Sequence, residues 1–189
     1  LNRYLVSIKE NPFVTQSLTS AFLYASGDLL CQYIVQKNKQ RHDPSLKLSF
    51  DYKRTLSQTF IGFVLSPWGI WNHNFVIPRL FPNHTPYRVF KSILYGYTVI
   101  GTVNGLLYFS YVSYTLHGHF KKDYIKRNFI ETMSIGVIVT LPFSIVNFNY
   151  VPPHYRTITG SLFAIFWQVF ISYISYDKYQ IKKAVAIKE

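Results

Sequence analysis

The sequence predicts an all-α fold: an integral membrane helical bundle of four to five transmembrane helices, built as one domain over residues 1–189. Three observations carry this. Five apolar segments, at 13–35, 56–77, 93–116, 129–148 and 158–176, each approach the roughly 20 residues a helix needs to cross a bilayer. No Lys or Arg falls inside them; the basic residues gather in the connectors, for example Lys37, Lys39 and Arg41, or Lys121, Lys122, Lys126 and Arg127. Aromatic residues make up 19% of the chain, and many stand at segment ends, where a ring meets lipid and a polar tip meets headgroups.

The first segment opens on Asn11-Pro12. Asn11 is a fair N-cap, and Pro12 suits a first helical turn, where its missing N–H would have been unpaired anyway. Ser17, Ala21 and Ala25 follow at four-residue spacing, a small-residue stripe that lets another helix come close. One turn beyond it stands an acid, Asp28, with Gln32 on the same face. A carboxylate in hydrocarbon costs about 2.5–3.5 kcal/mol on insertion scales, so Asp28 is expected to face a partner, a cavity or the bundle interior.

The second segment repeats the small-residue device at Gly62 and Ser66, and the third at Gly101 and Gly105, with Asn104 between them. Packing is the expected use of this spacing. The fourth segment contains Pro142, which is expected to kink the helix beside Asn147 and Asn149. Such a kink either lines a polar cavity or is plain geometry relieved by neighbouring helices. The fourth connector, 149–156, holds Pro152 and Pro153 and is short enough for a tight hairpin; the tail beyond Asp177 is basic.

The formal net charge is +12, from 20 Lys and Arg against 8 Asp and Glu. Too little chain lies outside the apolar segments to build a nucleic-acid-binding face, so the expected partners are membrane lipids. Basic juxtamembrane clusters attract anionic headgroups, at about 1 kcal/mol per residue, and suit cardiolipin. Distribution of the charges also chooses between four and five crossings. With five, Arg3, Lys9, Arg79, Arg88, Lys91 and Arg156 share one side, and the other fourteen basic residues share the opposite side. With four, the split is even, so the charge rule favours five.

A single cysteine, Cys31, leaves no internal disulfide and no cysteine-built metal site. The chain begins with Leu1 rather than Met, which points to residues upstream, and its start lacks the compact run of a cleavable secretory signal. The histidines His42, His73, His84, His117, His119 and His154 are scattered along the chain, without the spacing of a helix-borne zinc site. Neither a phosphate-cradling Gly loop followed by Lys nor a nucleophile elbow is present. The expectation is a protein that is not an enzyme and holds no cofactor.

Three blocks in order resemble a known family. Tyr4-Leu5, Asn11-Pro12-xx-Thr15 and Gly27-Asp28-xxx-Gln32 form the first; Asp51-xx-Arg54-Thr55 with Gly62 the second; Asn147-Phe148-xx-Val151-Pro152-xx-Tyr155-Arg156 the third. In these the chain resembles the Mpv17 and peroxisomal membrane protein family of small multi-helix organellar proteins. The resemblance covers most of the chain, and it departs from the family where an Asp-Gln pair would open the third helix: Tyr95 and Gly96 stand there.

The resemblance implies residence in the mitochondrial inner membrane or, alternatively, the peroxisomal membrane, and channel-like passage of small solutes or membrane homeostasis. The alternative function is that of a structural accessory subunit of a larger inner-membrane complex, such as a respiratory one, without transport. Other membrane proteins, as a homo-oligomer or a large complex, are then partners. Asp28, Gln32, Arg54, Asn104, Asn147 and Arg156 are the candidates for a polar cavity or an intramembrane ion pair, with Arg54 or Arg156 as the partner of Asp28. Ala21, Ala25, Gly62, Gly101 and Gly105 are the candidates for helix packing.

Overall fold

A computed structural model describes residues 7, 10–42, 45, 47–82, 87–151 and 156–178, and among these every regular element is helical. Five rods follow one another. Helix α1 is Pro12–His42. Rod α2 is Tyr52–Trp71, prolonged by a π-helical turn, Asn72–Val76, and one further turn, Ile77–Leu80. Rod α3 joins Arg88–Tyr95 and Thr102–His117 through a second π-helical segment, Gly96–Gly101. Helix α4 is Lys122–Asn149, and rod α5 is Arg156–Ser172 with a third π-helical turn, Tyr173–Asp177.

Local chemistry sets most of the boundaries. The Asn11 N–H donates to the Ser7 carbonyl and the Asn11 carbonyl accepts from Thr15 N–H. The helical path therefore begins upstream of the expected cap. Beyond residue 35, Gln36 to Arg41 are mostly good helix formers, so α1 outruns its apolar segment by more than a turn. Asp51 caps α2 by accepting the Arg54 N–H at 3.0 Å. Gly118, at φ 73°, closes α3 in the left-handed conformation that glycine adopts without strain. Pro142 lies inside one continuous helix, so the chain does not leave the helical path there.

The rods run alternately up and down. At one end the start of α2 meets the end of α5 through Arg54 and Asp177, and the start of α4 joins it through Tyr124 and the Ser175 carbonyl. At the other end Thr159, at the start of α5, bonds Asn147, at the end of α4. Helix α1 packs along both α2 and α5, while α3 packs along α4.

Close approach is built from glycine. A Cβ on Gly27 would lie 2.4 Å from Gln168 Cβ, so only glycine there lets α5 sit against α1. A Cβ on Gly62 would lie 2.6 Å from the Tyr24 ring, which does the same for α1 and α2.

The molecule is inverted relative to a water-soluble bundle. Asp28, Gln32, Gln58, Asn72, Asn128, Thr132, Ser172 and Ser175 are buried, while Phe22, Leu56, Phe60, Ile138, Leu162 and Phe166 are exposed. Exposed apolar surface on this scale marks a membrane-facing or partner-facing protein. Among the described residues one stretch, Lys122–Asn147 in α4, is by itself long and apolar enough to cross a membrane. The interior apolar cluster joins Ile61 and Leu65 of α2 to Tyr108, Phe109 and Val112 of α3, Tyr124 of α4 and Tyr176 of α5.

Candidate functional site

Two features stand out among the described residues, and no clamp residue lines the second. The first is a charged cluster at the end where α1, α2 and α5 meet. Arg54 Nε donates to Asp28 Oδ1 at 2.7 Å, and the same guanidinium donates to Asp177 Oδ2 at 2.9 Å and Ser172 Oγ at 2.9 Å. The other oxygen of Asp28 accepts from Gln32 Nε2 at 2.8 Å and Thr55 Oγ1 at 2.7 Å. Ser172 Oγ also donates to Asp28 Oδ1. Asp28 is 1% exposed, and both of its oxygens accept hydrogen bonds there, one of them within the ion pair to Arg54.

Around the ion pair, Arg54 Cζ lies 4.5 Å from the centre of the Tyr176 ring, a cation–π contact. Burial alone would favour a neutral guanidinium. The carboxylates of Asp28 and Asp177 and the hydrogen bonds to them offset that cost. Gln32 extends the cluster into the first connector, since its Oε1 accepts the Asp51 N–H at 2.7 Å. Gln36 does the same one turn on, accepting the Ser49 N–H at 2.7 Å. The cluster is thus a clamp that fixes three rods and the loop between two of them.

A second network backs the clamp. Gln58 Nε2 donates to the Tyr176 hydroxyl at 3.1 Å, and the Tyr108 hydroxyl donates to Gln58 Oε1 at 3.0 Å. The Tyr124 hydroxyl donates to the Ser175 carbonyl at 2.7 Å.

The second feature is a cavity of about 610 Å³ lined chiefly by α3, α4 and α5, with the end of α2 and Tyr24 of α1. Its walls are apolar at Ile93, Phe109, Met133 and Trp167, and polar at Ser92, Asn104, Thr132, Ser144 and Gln168. Arg88 and His73 are also part of the lining. The π-helical segment 96–101 runs along it, and π turns are frequent at functional sites because they widen the helix locally.

The structure distributes the candidate residues between these features. Asp28, Gln32 and Arg54 come together in the clamp, and Asn104 lines the cavity. Asn147 is in neither; its Oδ1 accepts from Thr159 Oγ1 and ties α4 to α5. The side chain of Arg156 lies outside the described residues. Its backbone opens α5, whereas Ser172 is the α5 residue against Asp28. At 1.5 Å per residue about 24 Å of helix separates the two backbone positions. A shared cavity of Asp28, Gln32, Asn104 and Asn147 is not what the fold builds.

Of the packing candidates, Ala21 is buried and Ala25 half-buried. Gly62 lies under Tyr24, and Gly105 lies against Phe129, where a Cβ would come within 3.1 Å. Gly101 is looser, with ordinary contacts at 3.5 and 3.6 Å. Sequence reasoning missed Asp177, Ser172, Thr55 and Tyr176 as members of the clamp. Thr55 had a signal, lying in the same block as Arg54; Asp177, Ser172 and Tyr176 had none, since more than a hundred residues separate them from Arg54. Among the described residues no group of three or more His, Cys, Asp and Glu is placed to hold a metal ion.

Comparison with known proteins gives the following. The Mpv17 / PMP22 family model matches residues 121–172, from the start of α4 to near the end of α5. PXMP2/4 family protein 2 of Dictyostelium discoideum is 26% identical over 93% of this chain and 90% of its own length. Protein SYM1 of Debaryomyces hansenii is 25% identical over 94% of this chain and 89% of its own. Peroxisomal membrane protein 2 of Bos taurus is 25% identical over 91% and 87%. No solved structure matches.

Proposed function

The chain belongs to the Mpv17 / PMP22 family of membrane proteins, and from that premise we propose that it is a channel-like organellar protein whose interior cavity admits small solutes. The cavity is the observation that carries this reading. At about 610 Å³ it has the size of a small-molecule site, and its wall mixes apolar surface with a few hydroxyl and amide groups. The clamp supplies rigidity: it holds α1, α2 and α5 as a frame, against which α3 and α4 complete the cavity. Purified protein in liposomes is expected to pass small solutes, and Gly96→Phe, at the cavity wall, to reduce that flux. Liposomes that remain tight with folded protein would overturn the reading.

A second reading has one observation behind it. Asp28 and Gln32, the charge and amide a lumen would use, are spent in the clamp and do not line the cavity. On that basis the chain would be an accessory subunit of a larger inner-membrane complex. Native electrophoresis after mild detergent separates the two: migration with a large assembly favours the subunit, and migration alone or as a homo-oligomer favours the channel.

The mitochondrial inner membrane is the proposed location, because basic residues of the first and third connectors, such as Lys37, Lys39, Lys121 and Lys126, stand at one end of the bundle and suit cardiolipin. The peroxisomal membrane, which the name of the bovine relative carries, is the alternative. Fractionation of organelles decides between them.

A further inference from the structure

We propose that the buried layer of Tyr108, Ser175 and Tyr124 is the closed gate of the cavity, through which a solute must pass to cross the bundle. This rests on the reading of the cavity as a solute site and says where the route through it is shut.

The cavity is accessible at one end and blind at the other. Of its lining residues, Val89, near the second connector, is 50% exposed, and His73 is exposed as well. Tyr108 and Phe109, toward the clamp, are 4% and 1% exposed. Both belong to the apolar cluster that also contains Val112, Tyr124 and Tyr176, and Tyr176 is the ring that meets Arg54.

What shuts the blind end is thin. Ser175 Oγ lies 3.3 Å from the Tyr108 hydroxyl, and the Ser175 carbonyl accepts from the Tyr124 hydroxyl at 2.7 Å. A single serine, 0% exposed, thus joins a tyrosine of the cavity wall to a second tyrosine. That second tyrosine lines another hollow, of about 490 Å³, beside Lys126 and Arg127 at the start of α4. No described residue lines both hollows, so two rings and one serine stand between them.

The layer also has the chemistry of something that opens. A permanent wall is served by apolar packing alone, whereas this one closes through hydroxyl and amide contacts, which include Tyr108 donating to Gln58 Oε1 at 3.0 Å. Water replaces such bonds when they part, so each holds the closed state by only about fivefold. Ser175 stands in the π turn Tyr173–Asp177, and π turns are frequent at functional sites. The same turn brings Asp177 to Arg54, so the clamp holds the layer in place.

The test uses the full chain in liposomes, in a Cys31→Ser background with Ser175→Cys as the reporter. A small charged methanethiosulfonate is expected to modify Ser175→Cys slowly and, once modification is complete, to block solute flux. Tyr108→Phe keeps the ring but loses the contacts to Gln58 and Ser175, so it should raise both the labelling rate and the flux about fivefold. Tyr124→Phe, equally conservative in shape, should act in the same direction. Ser17→Cys, at a position 2% exposed in α1, is the control, and its labelling should not change in either variant.

Flux that survives complete modification of Ser175→Cys, or labelling and flux that Tyr108→Phe leaves unchanged, would overturn the gate while solute passage stands. Equal acceleration at Ser17→Cys would show general loosening of the bundle and overturn it too. Faster labelling of Ser175→Cys in Tyr108→Phe, in liposomes that stay tight with every variant, would sink solute passage alone.

Discussion

Arg54 holds two carboxylates at once, and its removal differs in kind from the removal of either acid. Without the guanidinium, Asp28 and Asp177 are left in one buried site with no opposite charge between them. Arg54→Ala is therefore expected to cost about 3–5 kcal/mol, the range for breaking a buried pair at one member. Asp28→Asn should cost less, because Arg54 keeps Asp177 and the new amide retains an acceptor for Thr55. Arg54→Lys should fall between, since one ammonium cannot reproduce the fork to Asp28, Asp177 and Ser172. Thermal unfolding in detergent ranks the three. Cys31, the single thiol, is 1% exposed beside Arg54 and gives an independent readout. Maleimide should label it slowly in the native protein and much faster in Arg54→Ala. Labelling at equal rates would show that the clamp does not hold α1 against α5.

Helix packing sets the next scale, and here glycines differ by position rather than by kind. Gly27→Ala pushes a Cβ into Gln168 Cβ and the Ile165 carbonyl, so α5 must move away from α1. Overpacking of this kind costs about 1–3 kcal/mol. Gly160→Ala on α5 meets no atom within 4 Å and should be neutral or gain about 0.5–1 kcal/mol from reduced backbone entropy. The pair of melting curves tests whether contact or composition governs glycine in these helices. Spacing in the sequence pointed to Gly62, Gly101 and Gly105, yet Gly27, with the tightest approach, was legible only as part of a family block. The reason is physical: a small residue permits close approach, but which helix arrives is decided by the whole packing. The three π turns were not legible at all. One brings Asp177 to Arg54, another carries His73, and the third lines the cavity.

Across the whole molecule, the alternating rods place the first connector, the third connector and the end of α5 together at the clamp end. These carry the larger share of the basic residues, so the charge rule orients that end toward the side where positive loops are retained. In a Cys31→Ser background, Lys39→Cys and Lys121→Cys are expected to react alike with a membrane-impermeant maleimide, and Arg79→Cys is expected to behave oppositely. Identical labelling of all three would show that the rods do not cross as five alternating spans. The inverted distribution of polarity belongs to this scale too. Exposed faces such as Phe22, Phe60, Ile138 and Phe166 need lipid or partner helices to cover them, which neither water nor the bundle itself provides.

By itself the sequence determined an all-α membrane bundle, five apolar stretches, a basic bias in the connectors, and an acid that had to be paired. These follow from transfer free energies, which act on each residue and each segment without reference to the rest of the chain. Tertiary structure alone decided that the acid pairs with Arg54, and that Asp177 joins it across the whole chain. It also decided that the polar candidates divide between a clamp, a cavity and the α4–α5 contact. Those choices rest on the few ångströms over which charges and hydrogen bonds act, and that proximity exists only once α1, α2 and α5 have packed.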